Sequence, residues 1–311
     1  MLPLRRIINR LKPWLMCSLI CCLVPQHALA RSVLVVLSDF SPSYNQVLTA
    51  IQQYARIKPR VATLDQIRVS DSQTEIILAV GTRACERMLS IYYPNTQLIC
   101  TFLPSATFQR LKSKLLPRNS HAAVSAIFID QPLSRQVRLA RLIAPDARVL
   151  GSALGDNNLD LRHELRRSAR LEDFSLSLVE LTQKDNPVER LTPIIEHSDL
   201  FLVIPDSSVF NRAVSKWLLY LSLRHKVPVI GFSASYTNAG ATASVHSSPE
   251  QIGRQSAEWV NRLLQGGTIP PVSYPLYFDI SVNPIAARTL DIDPLSADNL
   301  KMELTRLEVG H

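Results

Sequence analysis

The sequence predicts an α/β fold with two lobes, each a parallel β-sheet flanked by helices. Short apolar runs alternate with amphipathic segments along most of the 311-residue chain, which is the pattern of strand–helix repeats. Several of these runs are apolar at every position, as expected for strands buried on both faces of a parallel sheet. Some eleven strands are predicted. A typical sheet has roughly 4–6 strands, so two sheets fit better than one.

The first half of the chain shows the alternation from residue 32 onward. The segment 44–56 predicts a helix, because Val47, Leu48 and Ile51 recur at the spacing that places them on one helix face. The predicted strands cover residues 32–38, 75–81, 96–102 and 123–129, and the predicted helices cover 44–56 and 82–92.

The second half repeats this rhythm. The helix predicted at 249–267 has Pro249 in its first turn and a glycine pair past its last apolar residue, the usual start and stop signals. The tail 274–292 predicts a strand followed by a short helix. The other predicted strands cover residues 147–155, 174–181, 200–204, 227–233 and 241–247, and the other predicted helices cover 158–172, 187–197 and 208–226.

A sequence pattern that occurs twice, called the Arg-Gln echo below, supports two lobes. Pro132 and Pro249 each follow a predicted strand, and each is followed within a helix by an Arg-Gln pair, Arg135-Gln136 and Arg254-Gln255. Because each motif follows the last strand of its half, the echo suggests paired crossovers between the lobes.

The first 30 residues have the pattern of an export signal. The apolar stretch from Trp14 to Val24 is too short to span a bilayer comfortably, and Ala28-Leu29-Ala30 predicts cleavage after Ala30. An uncleaved membrane anchor is the alternative. Cleavage would remove four basic residues and lower the net charge from +8 to +4, so the basicity gives no reason to expect a nucleic-acid partner. Those four residues are Arg5, Arg6, Arg10 and Lys12.

The five cysteines divide between the signal and the mature chain. A lipid anchor at Cys17, Cys21 or Cys22 is disfavoured, because the preceding residues are Met16, Ile20 and Cys21, whereas a lipobox prefers Gly or Ala there. Cys85 falls in the first turn of a predicted helix and Cys100 near the end of the next strand, places that can be neighbours in an α/β unit. An oxidising compartment permits a disulfide there. We favour two buried free thiols, and no spacing resembles a zinc site.

Polar and aromatic side chains follow most of the predicted strands. Ligands of open parallel sheets bind outside the carboxyl ends of the strands, and this mixture suits a small polar ligand with an apolar part. The same residue types also cap helices, for which Asp39, Thr82 and Ser208 are the best candidates. The candidate ligand-binding residues are Asp39, Phe40, Tyr44, Thr82, Arg83, Phe102, Asp130, Asp156, Asp206, Ser207, Phe232 and Ser233.

Signals for catalysis are weak. The segment 231–235, GFSAS, resembles a nucleophile elbow but has Ser235 where the pattern needs glycine. The chain contains neither of the glycine-rich phosphate-binding patterns, and its seven histidines are scattered, with His246 the one that could reach a cleft. We therefore expect no enzymatic activity, no metal and no cofactor; a hydrolase that uses Ser233 or Ser235 is the alternative.

A set of segments, taken together in order and spacing, resembles the periplasmic solute-binding proteins of ABC transporters with the type I periplasmic-binding fold. The resemblance covers nearly all of the mature chain. It is carried by EIILAVGTRACE (75–86), FIDQPLSRQVRLARLIAPDARVLGSAL (128–154), SDLFLVIPDSSVF (198–210), HKVPVIGFSASYTNAGATASV (225–245), EQIGRQSAEWVNRLLQGGTIPP (250–271) and PLYFDISVNPIAARTLDI (275–292).

The resemblance implies two Rossmann-like lobes joined by a hinge of three crossings. The first lobe would comprise residues 31–128 plus 249–277, and the second 129–248 plus 278–311. A ligand would lie in the cleft and be trapped by hinge closure. The resemblance also implies a periplasmic protein that delivers its ligand to an ABC permease at the inner membrane, and we expect it to act as a monomer.

The resemblance further implies an amino-acid ligand, with Asp206 pairing its ammonium group. In this chain, however, Ser233 stands where the family has a second acid, and Arg83 replaces a proline. These changes remove a negative charge and add a positive one, so an organic anion that faces Arg83 is the alternative. The predicted function is thus capture of a small polar solute, amino-acid-like or anionic, for an ABC importer. A ligand-sensing adaptor for a membrane sensor is a second hypothesis.

Overall fold

The computed structural model describes residues 32–68, 74–91, 96–116, 123–293 and 296–309, and the predicted export signal lies outside this part of the chain. Its first sheet has five parallel strands in the order β2-β1-β3-β4-β5. Every residue of β1 and β3 is buried, as their continuous apolar sequences predict. The strands are β1 (Val33–Leu37), β2 (Arg60–Thr63), β3 (Ile76–Val80), β4 (Gln97–Leu103) and β5 (Ala123–Phe128), and the helices between them are α1 (Pro42–Tyr54), α2 (Thr82–Leu89) and α3 (Ser105–Leu115).

The second sheet has six strands in the order β11-β10-β9-β8-β6-β7, and β11 alone among them runs antiparallel to its neighbour. Without β11, its order repeats that of the first sheet. The strands are β6 (Val149–Gly155), β7 (Ser175–Leu181), β8 (Leu200–Leu202), β9 (Val229–Gly231), β10 (Ala243–His246) and β11 (Asp279–Val282). The remaining helices are α4 (Leu133–Ile143), α5 (Arg162–Leu171), α6 (Pro187–Glu196), α7 (Arg212–Arg224), α8 (Ala234–Asn238), α9 (Pro249–Leu264), α10 (Pro284–Thr289) and α11 (Ala297–Val309).

Two helices pack on the sheet to which their preceding strand does not belong. Helix α4 follows β5 of the first sheet, yet Val137 lies in the core of the second. Helix α9 follows β10 of the second sheet, yet Ile252 lies in the core of the first. Gly253 lets α9 approach α1, because a Cβ there would lie 2.5 Å from the carbonyl oxygen of Val47. The chain returns to the second sheet after Ser273, which pairs with β5. The described part of the chain therefore passes three times between the two sheets.

All three predicted caps are wrong. The cap position of α1 belongs to Ser41, so Asp39 lies two residues before it. Helix α7 begins at Arg212, and its cap is Asn211, whose side chain accepts hydrogen bonds from the next turn. Ser208 instead lies in turns that precede this helix. Thr82 is the first residue of α2, and the cap position belongs to Gly81, at φ +88°. The elements β2, α3, α8 and α11 were not predicted.

Cys85 and Cys100 form a disulfide, so the expectation of two free thiols is wrong. Both residues are fully buried, with 5.3 Å between their Cα atoms. The bond ties α2 to β4, the next strand along the chain. Within the described residues, no helix is both long and apolar enough to cross a membrane.

Candidate functional site

A cavity of about 600 Å³ lies where the crossings meet, at the carboxyl ends of strands of both sheets. Its volume falls in the range of about 300–1,000 Å³ that small-molecule sites occupy. The first lobe contributes Ser43, Phe102, Pro104, Ser105 and Ala106; the crossings contribute Ile129–Gln131, Leu133, Gln136, Ser247–Pro249 and Tyr274; the second lobe contributes Asn158, Leu161, Ile204, Pro205, Phe232–Ser235, Val245 and His246.

Phe102 reaches the cavity through a β-bulge. The register of β4 against β5 shifts between Thr101 and Leu103, and Phe102 lies at φ +60°, in the left-handed region. A bulky residue rarely adopts this conformation, and bulges re-aim side chains near functional sites. Here the ring lies on the cavity wall and meets Tyr44 edge-on, with 5.7 Å between the ring centroids. The strained backbone therefore supplies an aromatic wall to the cavity.

Asp130 is the one carboxylate among the described residues that line the cavity. It follows β5, on the first crossing, and accepts a hydrogen bond from the backbone amide of Ser105 at 2.8 Å. The hydroxyl of Ser105 donates to its other carboxylate oxygen. Asp130 thus spans the gap between the first crossing and the first turn of α3, and it is held in place by one residue.

The surroundings of Asp130 are acidic. Burial raises its pKa above the ordinary value of an aspartate. Burial also raises the pKa of Glu164 on α5, and the charges of Asp130 and Asp160 raise it further. Burial raises the pKa of Tyr274 to about 12, with Glu164 and Asp130 adding to the effect. Burial is the largest cause of all three shifts, and it disfavours a charge of either sign; the neighbouring carboxylates add a smaller effect that opposes further negative charge.

Three polar side chains of the cavity wall, those of Gln136, Asn158 and His246, carry no charge at pH 7. Gln136 is 3% exposed, and its Nε2 donates to the backbone oxygen of Gln131, but its Oε1 has no hydrogen-bond donor among the described residues. Asn158 donates through Nδ2 to the backbone oxygen of Pro205. His246 contacts the Ser281 hydroxyl at 2.8 Å, and burial lowers the pKa of its imidazole, so it is uncharged at pH 7.

A hydrogen-bond network joins the three crossings beneath the cavity. Arg135 of α4 donates to Gln131 Oε1 at 2.6 Å and to the backbone oxygen of Pro275 at 3.0 Å. Gln131 donates in turn to the hydroxyl of Ser247 on the second crossing. Ser247 donates to the backbone oxygen of Tyr277 on the third. The network fixes the hinge end of the cavity.

Four of the twelve predicted ligand-binding residues lie on the cavity wall. They are Phe102, Asp130, Phe232 and Ser233, and His246 joins them. The sequence offered no strong signal for Ser105, Gln136 or Tyr274, because they come from an unpredicted helix and from the crossings. The Arg-Gln echo marked the correct crossings, since Gln136 lies on the first of them.

The predicted residues after β1 and β3 do not line the cavity. The crevice between these strands is filled by the protein itself, because a Cβ on Gly81 would lie 2.6 Å from Ser38 Oγ and 2.7 Å from the Tyr44 hydroxyl. Asp39 accepts a hydrogen bond from the amide of Ser41 within the following turn. The side chains that remain outside the cavity here are those of Asp39, Phe40, Tyr44, Thr82 and Arg83, with Phe40 61% exposed.

The corresponding crevice of the second sheet is filled in the same way. Asp206 is 5% exposed and accepts hydrogen bonds from the amide and side chain of Asn157 and from the amide and hydroxyl of Ser208. A Cβ on Gly155 would lie 2.7 Å from Asp206 Oδ2. Asn157 also accepts a hydrogen bond from Arg110 of α3 at 3.1 Å, across the cleft. Asp206 therefore orients Asn157, and the exposed Asp156 and Ser207 lie outside the cavity.

We expect Asp206→Ala to lower the free energy of unfolding of the ligand-free protein by about 1–3 kcal/mol, because four donors lose their acceptor. Urea denaturation measures this loss. Asp206→Asn is the matched control: Oδ1 accepts three of the four bonds, so this variant should lose about 1 kcal/mol or less. Equal stability of wild type and Asp206→Ala would contradict the structural role.

The chain belongs to the family of ABC transporter substrate binding proteins, whose sequence profile matches residues 60–301. No curated protein sequence matches it. The fold and the cavity define a two-lobed binding protein, and this class agrees with the family.

Solved structures establish the fold. A substrate-binding protein with adhesive properties from Clostridium difficile, in its ligand-free open form, is similar at 14% identity with a TM-score of 0.68, over 86% of this chain and 97% of that one. A domain from Streptococcus pneumoniae in complex with L-Trp is similar at 15% identity and TM-score 0.56, over 87% and 98%. A conserved domain protein from Vibrio cholerae is similar at 19% identity and TM-score 0.56, over 86% and 97%.

Proposed function

We propose that this protein is the periplasmic solute-binding component of an ABC importer and captures one small molecule in the cavity between its lobes. The observation that carries this proposal is the cavity itself. It lies at the meeting of the three crossings, is lined by aromatic rings and a few placed polar groups, and contains the partly buried carboxylate of Asp130. Such a lining is typical of a ligand site.

The mechanism is binding followed by hinge closure. We place the lobe boundaries at 31–128 plus 249–277 and at 129–248 plus 278–311, with export through the segment 1–30. Residues of both lobes face the same cavity, so a ligand that contacts Ser105 and Phe232 together favours the closed arrangement. The contact between Arg110 and Asn157 across the cleft supports such closure. A permease would then recognise the closed, loaded protein.

The test is a thermal-shift screen of the chain from residue 31 against amino acids, amines, nucleosides, vitamins and organic anions. A ligand present at about 100 times its dissociation constant should stabilise the fold by about 2.7 kcal/mol. A library in which no compound shifts the melting temperature would contradict the proposal.

A matched pair of variants shows whether a ligand found in this way occupies the cavity. Ser235 lines the cavity and is exposed, so Ser235→Trp should obstruct the cavity without disturbing the core and weaken binding at least tenfold. Ser113 is exposed on α3 away from the cavity, and Ser113→Trp should leave binding unchanged. Equal affinities of the two variants would place the ligand elsewhere.

A further inference from the structure

The part of the cavity wall that the structure describes has no fixed positive charge that could receive a carboxylate. Among the described residues that line it, none is lysine or arginine, and His246 is neutral at pH 7 because burial lowers its pKa. Arg83, the cation that the sequence offered for this role, is exposed and lies outside the cavity. An anionic group of a ligand would therefore be desolvated without a charged partner, which is costly.

At two of the helices that begin at the cavity, amides of the N-terminus, which could replace such a cation, already donate to acceptors of the protein. The amide of Ser105, the first residue of α3, donates to Asp130. At the start of α9, Ser248 and Gln251 satisfy one another: the amide of Ser248 donates to Gln251 Oε1 at 2.9 Å, and the amide of Gln251 donates to Ser248 Oγ at 3.1 Å. Pro249, which follows Ser248, has no N–H.

What the wall does offer is negative charge and acceptors. Asp130 carries a carboxylate, and Gln136, which lines the cavity 3% exposed, has an Oε1 with no donor in the described part of the chain. The rings of Phe102, Phe232 and Tyr274 lie on the same wall. Aromatic faces attract cations, and a buried acceptor that lacks a donor favours a ligand that brings N–H groups.

We propose that the cavity takes a primary amine on an aromatic body that carries no carboxylate, with the ammonium group paired to Asp130. This inference rests on the proposed function and narrows its ligand class. It departs from an amino-acid ligand for one reason: among the described residues, the cavity has a charged partner for the ammonium group and no charged partner for the carboxylate.

The direct test compares four compounds that share a phenylethyl group: 2-phenylethylamine, L-phenylalanine, 3-phenylpropionate and 2-phenylethanol. Tryptamine, L-tryptophan and indole-3-propionate repeat the comparison with a larger ring. Isothermal titration of the mature chain should give the amine of one series a dissociation constant at least tenfold below that of its amino acid, and the carboxylate should not bind. An amino acid or a carboxylate that binds as tightly as the amine overturns the proposal.

Asp130→Asn tests the partner of the ammonium group. The asparagine keeps a hydrogen-bonding contact with both the amide and the hydroxyl of Ser105, so the ligand-free variant should melt no lower than wild type, while amine affinity falls at least tenfold. Asp156→Asn removes an exposed carboxylate outside the cavity and should change that affinity less than twofold. Unchanged amine binding in Asp130→Asn overturns the proposal.

A measurement on wild type needs no variant. Protonation of Asp130 removes the charge that pairs with the ammonium group, so amine affinity should fall as the pH is lowered through the pKa of Asp130. Because burial raises that pKa, the fall should begin at a higher pH than for an exposed aspartate. Affinity for 2-phenylethanol should stay constant, and a parallel fall for both compounds overturns the proposal.

An error in the amine class and an error in the binding function would give different results. If other compounds of the screen bind in the cavity while every amine fails, the amine class is wrong and the binding function stands. If no compound binds, both are wrong.

Discussion

Replacing both half-cystines, Cys85→Ala with Cys100→Ala, should lower the free energy of unfolding by about 3 kcal/mol, the contribution expected for a bond that closes a loop of about 15 residues. The reason is that the open loop gains conformational freedom in the unfolded chain. Both sites are fully buried, so the lost side-chain atoms add a smaller packing cost. Guanidinium denaturation of the two proteins measures the difference.

Reduction separates these two contributions. Wild type denatured in the presence of strong reductant keeps its side-chain volume and loses the bond alone. It should therefore unfold at a denaturant concentration between those of the oxidised protein and the double variant. If oxidised and reduced wild type have the same midpoint, the disulfide contributes nothing to stability.

Arg135→Ala should cost about 3–5 kcal/mol, the loss typical of a buried ion pair from which one partner is removed. The Arg135 side chain is 7% exposed and donates through Nε and Nη2 to the two carboxylate oxygens of Glu308, at 2.6 and 2.7 Å. It also donates to Gln131 and to the backbone of Pro275. We expect the lower end of that range, because Glu308 is 28% exposed and water can solvate it after the change.

The control is Arg306→Ala on α11, which breaks an exposed pair with Glu303 and should cost less than about 1 kcal/mol. Arg135→Lys keeps the charge but cannot reproduce the forked contacts, so its loss should lie between the two. Equal unfolding free energies for Arg135→Ala and Arg306→Ala would show that the buried network adds nothing. Ligand affinity reports whether the hinge is disturbed. It should fall in Arg135→Ala and stay unchanged in Arg306→Ala.

Most of the regular elements could be predicted from the sequence because their signals are local. The apolar runs of β1 and β3 predicted buried strands, and those strands are fully buried. The start signal at Pro249 predicted the first residue of α9. Errors arose where a distant contact decided the local conformation. The turn around Asp206 delays the start of α7 to Arg212, since that carboxylate binds the amide and hydroxyl of Ser208.

The candidate site shows the same division. The rule that ligands bind at the carboxyl ends of parallel strands pointed to the edge of each sheet at which the cavity lies, and four predicted residues lie on the cavity wall. The rule could not tell which part of that edge is open. Tyr44 fills the crevice beside Gly81, and Asp206 fills the crevice beside Gly155. The carboxylate that faces the cavity is therefore Asp130, on a crossing between the lobes.

The sequence by itself determined the alternation of strands and helices, the two-sheet architecture and the positions of two crossings, because hydrophobic periodicity and proline are read within a short window. The tertiary structure decided the disulfide between Cys85 and Cys100, the network around Arg135 and the composition of the cavity wall. Each of these joins residues that are apart in the chain and adjacent only after the two lobes have formed. The balance of charge in the cavity, one carboxylate and no described cation, belongs to this second group.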